Sequence, residues 1–186
     1  MNYMVKHVRA NLIFLALCAV MIAIALGVDP VAAQSTEPKT VADFFRLVPE
    51  RYIGYDLAFR EGLLGGERRG TVIDIPNGFI SWDASDNPEE FEFAIFKKNN
   101  GKYLAAFSVG YDSQFPQASR FVLLSYERGR WRDVTRASLP VAYNRRLTYK
   151  LPRQGRTIEV WDENGHQPYS LTWANDRFRI KRSSVR

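Results

Sequence analysis

Side chains after position 70 alternate between apolar and polar with a period of two, and this pattern predicts β-strands rather than helices. The segment around Phe91, Phe93 and Ile95 shows it most clearly, because Glu92 and Ala94 stand between the large apolar residues. Four pairs of turn residues separate such segments: Asn100-Gly101, Arg128-Gly129, Asn164-Gly165 and Asn175-Asp176. Since each pair contains a residue that tolerates positive φ, the sequence predicts successive β-hairpins and about nine short strands.

One amphipathic helix is predicted before the strands, over residues 40–48. Thr40 can cap its first turn, with Asp43 in the capping-box position. One apolar stripe at helical spacing comprises Val41, Phe44, Phe45 and Val48. Pro49 ends the pattern, so we expect a short helix that lies over the β domain as a lid or plug. Residues 52–69 are ambiguous, and residues 137–155 are expected to form a long connection.

Consecutive hairpins without crossover helices predict a mainly β fold built as an antiparallel meander. About nine short strands must protect their edges, which they do by closing into a barrel or by packing as a two-layer sandwich. A propeller-like arrangement ranks third, because three hairpin units are too few to close a ring.

The first thirty-three residues have the three-part layout of a secretory signal peptide. Lys6 and Arg9 form a basic start, and an unbroken apolar run covers residues 12–26. Small residues at 31–33 then form a cleavage site that leaves Gln34 as the new N-terminus. An uncleaved anchor, which would be the only membrane contact, and lipidation at Cys18 are the alternatives.

The predicted organisation is therefore a signal peptide over residues 1–33, a flexible lead over 34–39 and a single β-rich domain over 40–186. We expect an exported protein, either periplasmic or secreted. Export also argues against a nucleic-acid partner.

Cysteine and histidine are scarce, which excludes several chemistries. Cys18 is the only cysteine and leaves with the signal, so the processed chain has neither a thiol nor a disulfide. His166 follows the Asn164-Gly165 turn and is interpreted as a solvated surface residue. The acidic stretch 83–90 resembles a calcium loop in its oxygen spacing but lacks the required glycine and bidentate glutamate. We expect no metal and no cofactor.

Charge is unevenly distributed along the chain. Residues 34–119 carry 9 Lys+Arg against 13 Asp+Glu, a net charge of −4, whereas residues 120–186 carry 15 against 6, a net charge of +9. Such asymmetry favours an anionic partner for the C-terminal half.

Two groups of cations at two-residue spacing stand out in that half. The candidate anion-binding residues are Arg128, Arg130, Arg132, Arg177, Arg179 and Lys181. If the two strands are neighbours, these side chains form one patch. The alternative interpretation is that solvent-facing strand positions are charged in any case, and that Arg and Lys protect sheet edges from aggregation.

The first function hypothesis is therefore a non-enzymatic exported domain that binds an anionic cell-envelope component or a partner protein. The second is a barrel that holds a small apolar ligand, suggested by the 13% aromatic content. The third is a hydrolase that uses two carboxylates, but no spacing selects a pair among Asp74, Asp112 and Asp133. An enzyme is the less favoured class, and no catalytic residue is assigned.

Overall fold

The computed structural model describes residues 37–83, 89–111 and 120–183. The predicted signal peptide, most of the acidic stretch and Asp112 lie outside these residues. The helices are α1 Val41–Leu47, α2 Glu50–Ile53, α3 Leu57–Leu64 and α4 Thr135–Ser138. The strands are β1 Thr71–Asp74, β2 Phe79–Asp83, β3 Glu89–Lys97, β4 Tyr103–Tyr111, β5 Arg120–Glu127, β6 Arg130–Asp133, β7 Thr148–Lys150, β8 Thr157–Trp161, β9 Tyr169–Ala174 and β10 Arg177–Arg182.

The strands form two antiparallel sheets, each a simple meander. The large sheet has six strands in the order β1 to β6, and the small sheet has four strands in the order β7 to β10. The prediction of a mainly β, antiparallel fold is confirmed, with ten strands in the described residues. A closed barrel is wrong for this part of the chain, because β1 and β6 remain open edges of the large sheet.

The physical reason for open sheets is that the central strands of the large sheet are buried on both faces. In β5, Val122 and Leu124 belong to one hydrophobic core, whereas Phe121 and Leu123 belong to a second. Both faces of an apolar sheet must be covered, and a barrel would cover only one of them with protein. The described domain is therefore a three-layer stack of helices, large sheet and small sheet.

The helical layer covers one face of the large sheet. Thr40 and Asp43 form the predicted capping box at the start of α1. The complete apolar stripe of this helix is buried: Val41, Phe44, Phe45 and Val48. Phe45 packs against Phe91 and Phe93 of β3, with ring centroids 5.7 and 5.2 Å apart. The helix is thus an integral layer of the core, and it covers sheet rather than a cavity.

The small sheet covers the opposite face. Its inner side chains include Tyr149, Ile158, Leu171, Trp173 and Phe178, all of which are buried in the second core. Several polar contacts also join the two sheets at their margins. Arg153 forms an ion pair with Asp74 at 2.9 Å, and the Asn99 backbone N–H donates to Asp176 at 2.7 Å.

Four elements were not predicted. Residues 52–69 contain half of α2 and all of α3, the short helix α4 follows β6, and the connection 137–155 contains the three-residue strand β7. None of the helices in the described residues has the length and apolar character needed to cross a membrane.

Arg60 on α3 holds the helical layer together although it is buried and forms no ion pair with a described residue. Its Nη1 group donates to the carbonyl oxygens of Phe45, Arg46 and Val48 at 2.7, 2.8 and 2.7 Å. These are the carbonyls at the end of α1, which have no partner within that helix. A cation at a helix C-terminus is also favoured by the helix dipole. One guanidinium therefore ties the end of α1 to α3.

We expect Arg60→Met to lower the free energy of unfolding by about 2–3 kcal/mol, because it leaves buried carbonyl oxygens without a donor. Arg60→Lys should recover only part of this loss, since an ammonium group cannot reproduce the planar fork of donors. Urea unfolding at constant m-value measures both variants. Arg69→Ala, at an exposed position, is the control and should change stability by less than about 0.5 kcal/mol. An Arg60→Met protein as stable as the control would show that the carbonyl bonds contribute nothing.

Candidate functional site

The cations of β10 lie on one exposed face of an edge strand. Arg177, Arg179 and Lys181 are all exposed, while Phe178 between them is buried in the core. We call these three cations the β10 row. Each pairs in register with a small side chain of β9: Ala174, Thr172 and Ser170 respectively. The long cationic side chains therefore stand beside a strip of short ones on the outer face of the small sheet.

The second predicted group of cations lies on a different sheet. Arg130 and Arg132 are exposed on β6, the edge of the large sheet. Arg128 is also exposed but lies in the β5–β6 turn with a φ of 50°, so it does not continue the face of the strand. Because β6 pairs with β5 and β10 pairs with β9, the two groups are not on neighbouring strands. The β10 row is thus a separate surface.

Charge in the β10 row is not neutralised within the described residues. None of its three side chains lies within 4.0 Å of a described carboxylate. Same-face residues on a strand are about 6.6 Å apart, so three like charges repel one another along the edge. A bound anion would relieve this repulsion.

Most of the C-terminal aromatic side chains are part of the core. Phe178, Trp173 and Tyr149 are buried. Trp131 is half-buried and packs against Phe44 with ring centroids 6.0 Å apart. Trp161 differs from these residues because it borders a cleft.

That cleft, of about 330 Å³, lies where one end of β3 and β4 meets the edge of the small sheet. We call it the Glu92 cleft. It is lined by Glu90, Glu92, Ser108, Gly110, Thr148, Tyr149, Lys150, Glu159, Trp161 and Gly165. Three carboxylates and one ammonium group thus share this cleft with an indole ring.

Glu92 is the carboxyl group among the described residues whose pKa is raised, whereas Asp43, Asp74 and Asp162 have lowered pKa values. Its Oε2 accepts a hydrogen bond of 2.5 Å from the Leu151 backbone N–H. Burial raises the pKa of Glu92 to about 7, and the Leu151 hydrogen bond and the Lys150 charge only partly oppose the effect of burial. A carboxyl group with this pKa exchanges protons near neutral pH and could act as a general acid or base.

Sequence reasoning missed Glu92 because its position has the pattern of a solvent-facing strand residue. It stands between Phe91 and Phe93, which face the helical layer. Glu92 lies on the opposite face of β3, which the sequence pattern alone predicts to be exposed to solvent because the small sheet that covers it comes later in the chain. The only signal in the sequence is that β3 also carries Ala94 and Phe96 on that face, both of which are buried.

Other residues named from the sequence have structural roles. Asp74 accepts from Asn77 and pairs with Arg153, and Asp133 accepts from the Thr135 hydroxyl at 2.6 Å. His166 is exposed, with Nδ1 3.5 Å from the Asp162 carboxylate. The described residues contain no group of three or more His, Cys, Asp or Glu side chains placed to hold a metal ion.

The chain matches no protein-family model, no curated protein and no solved structure.

The raised pKa of Glu92 predicts a pH-dependent stability. The folded state holds the proton more tightly than the unfolded state, whose reference pKa is 4.5, so this contribution is complete below pH 4.5 and is lost as the pH rises through about 7. We expect Glu92→Gln to be more stable than the wild type by about 3 kcal/mol at alkaline pH and nearly equal to it in acid. Urea unfolding between those limits measures the difference. Glu163→Gln, at an exposed turn position, is the control and should parallel the wild type. A pH-independent gap between Glu92→Gln and wild type would contradict the assignment.

Proposed function

We propose that this protein is an exported, non-enzymatic β domain that binds an anionic polymer of the cell envelope through the β10 row. The observation that carries the proposal is the exposed face of β10, where three cations stand in line without a carboxylate partner among the described residues. The export half of the proposal rests on the signal-like residues 1–33.

The shape of the surface favours a polymer over a compact anion. Side chains of the β10 row repeat about every 6.6 Å along the strand, so they suit a chain that presents anionic groups at intervals. Beside them, half-buried Thr172 offers a hydroxyl group that can donate to a sulfate, phosphate or sugar oxygen. Thr172 also lies 3.1 Å from Thr157 of β8, oxygen to oxygen, which continues the hydroxyl strip across the sheet.

Electrostatics favours the same partner class. The C-terminal region 120–186 carries a net charge of +9, which raises the rate of encounter with a polyanion. The contacts lie on an exposed face, so salt screens them over a Debye length of about 8–10 Å. Arg130 and Arg132 on β6 add to the long-range field, but they lie on the other sheet and outside the contact surface proposed here.

The test is retention on immobilised heparin and on lipopolysaccharide as a function of salt. We expect wild-type retention to fall steeply with ionic strength, and the triple variant Arg177→Ser, Arg179→Ser, Lys181→Ser to bind about tenfold more weakly. Because all three side chains are exposed, the substitutions should leave the protein folded. The weaker binding should therefore come from the loss of three local charge contacts.

Two matched variants make the test specific. Arg51→Ser, Arg69→Ser, Arg136→Ser removes the same charge from exposed positions elsewhere, and Arg128→Ser, Arg130→Ser, Arg132→Ser removes it from the β5–β6 hairpin. Both should lose much less affinity than the β10 triple variant. Equal losses of affinity in all three triple variants would show that only net charge matters, and would contradict the β10 row as the binding surface.

A carboxylate-dependent hydrolase is the second candidate, favoured by the Glu92 cleft alone. There Glu92 would be the proton donor, with Glu90 or Glu159 as the second carboxylate and Trp161 as a wall for a sugar ring. We expect Glu92→Gln to abolish any glycan hydrolysis while Glu163→Gln leaves it unchanged. A wild type without activity on a broad glycan panel removes this candidate. The apolar-ligand hypothesis stays a prediction for which the described clefts, all bordered by charged residues, offer no support.

A further inference from the structure

A second cleft, of about 440 Å³, lies at the opposite end of β3 from Glu92. Lys39, Lys97 and Arg156 line it together with Tyr103 and Trp173. We call it the Lys97 cleft. A neighbouring cleft of about 320 Å³ shares Lys39, Lys97 and Tyr103 and adds Lys102. Cations from three separate parts of the chain therefore converge on one concave surface.

Trp173 fixes the positions of two of these cations. Its backbone N–H donates to the Arg156 carbonyl at 2.8 Å, and its indole N–H donates to the Lys97 carbonyl at 3.1 Å. Because Trp173 is only 3% exposed, it holds both backbones from within the core. The arrangement joins the end of β3 to the start of β8.

Lys39 reaches the cleft from the capping box of α1. Its backbone N–H donates to Asp43 Oδ2 at 3.1 Å, so the residue before the helix is held in place while its side chain remains exposed. The three cationic residues are thus anchored at their backbones, which lowers the entropy cost of binding a ligand.

The charge of the Lys97 cleft is unbalanced. None of its three cations lies within 4.0 Å of a described carboxylate. The acids nearby in the fold have other partners: Asp43 in the capping box, Asp74 with Arg153, and Asp176 with the Asn99 backbone. Glu37 borders the neighbouring cleft.

We propose that the Lys97 cleft binds a phosphate or sulfate monoester, with the anion between Lys97, Arg156 and Lys39. The volume lies within the usual range for small-molecule sites, about 300–1,000 Å³. Arg156 offers paired donors that match a phosphate or sulfate oxygen pair, and the lysines supply further charge. Half-buried Ile95 and Tyr103 on the wall provide apolar contact for the organic part of the ligand.

This site is independent of the proposed polymer surface. It lies between the sheets, whereas the β10 row lies on the outer face of the small sheet. The monoester could come from a soluble metabolite or from a lipid head group, and the experiment separates these two sources.

The test is a titration of the purified protein, followed by NMR, with glucose 6-phosphate, glucose and inorganic phosphate, and a parallel sedimentation assay with phosphatidic acid and phosphatidylcholine vesicles. We expect saturable binding of glucose 6-phosphate in the millimolar range or tighter, with shifts at the Trp173 indole and Tyr103, and no binding of glucose. Lys97→Ala, Arg156→Ala should weaken it about tenfold or more. Lys97→Arg, which keeps the charge at this position and leaves the Arg156 guanidinium in place, should retain binding, and so should the β10 triple variant.

Binding to phosphatidic acid vesicles without binding to the soluble ester, again lost in Lys97→Ala, Arg156→Ala, would support the site with a head group as its source. The proposal is overturned if neither ligand binds, if glucose binds as well as its phosphate, or if the double alanine variant binds like wild type. Loss of heparin retention in the β10 triple variant alone would bear on the polymer surface and leave this site unaffected.

Discussion

Burial of the central strands of the large sheet on both faces is the constraint on which the rest of the structure depends. The side chains of β3, β4 and β5 supply apolar surface in two directions, toward α1 and toward the small sheet. At about 25 cal/mol per Å², neither surface could be left in water without a large loss of stability. Helices and small sheet are therefore both required partners of the large sheet, because each layer completes one of the two cores.

The same stacking explains where the polar chemistry lies. Two clefts between the layers open to solvent near the two ends of β3 and β4, and charged side chains gather there. Glu90 and Glu92 lie at one end, and Lys97 lies at the other. The outer face of the small sheet, which no described element covers, carries the β10 row. Candidate binding surfaces of opposite sign thus follow from one packing arrangement.

Part of this was predictable from the sequence. Turn residues located the hairpins, since Gly129, Asn175 and Asp176 adopt the positive φ that their residue types favour. The stripe of α1 and its capping box were also evident. The layer that covers each face of a strand was not evident from the sequence. Residues 121–124 are apolar at every position, so the pattern does not indicate which side chains face the helices and which face the small sheet. Glu92 was hidden for a related reason: its contact, Leu151, comes 59 positions later in the chain. The separation of the β10 row from Arg130 and Arg132 was also not predictable, because it arises from β6 and β10 belonging to different sheets.

Native-state hydrogen exchange tests two-sided burial most directly. The account predicts that amides of Phe107 and Leu123 exchange only through global unfolding, and that they outlast those of the edge strands β1 and β6 by orders of magnitude. Amides in the helical layer and the small sheet should share much of this protection, because both cover the same sheet. Central-strand amides that exchange as fast as edge-strand amides, or a small sheet that opens while the large sheet stays fully protected, would contradict it.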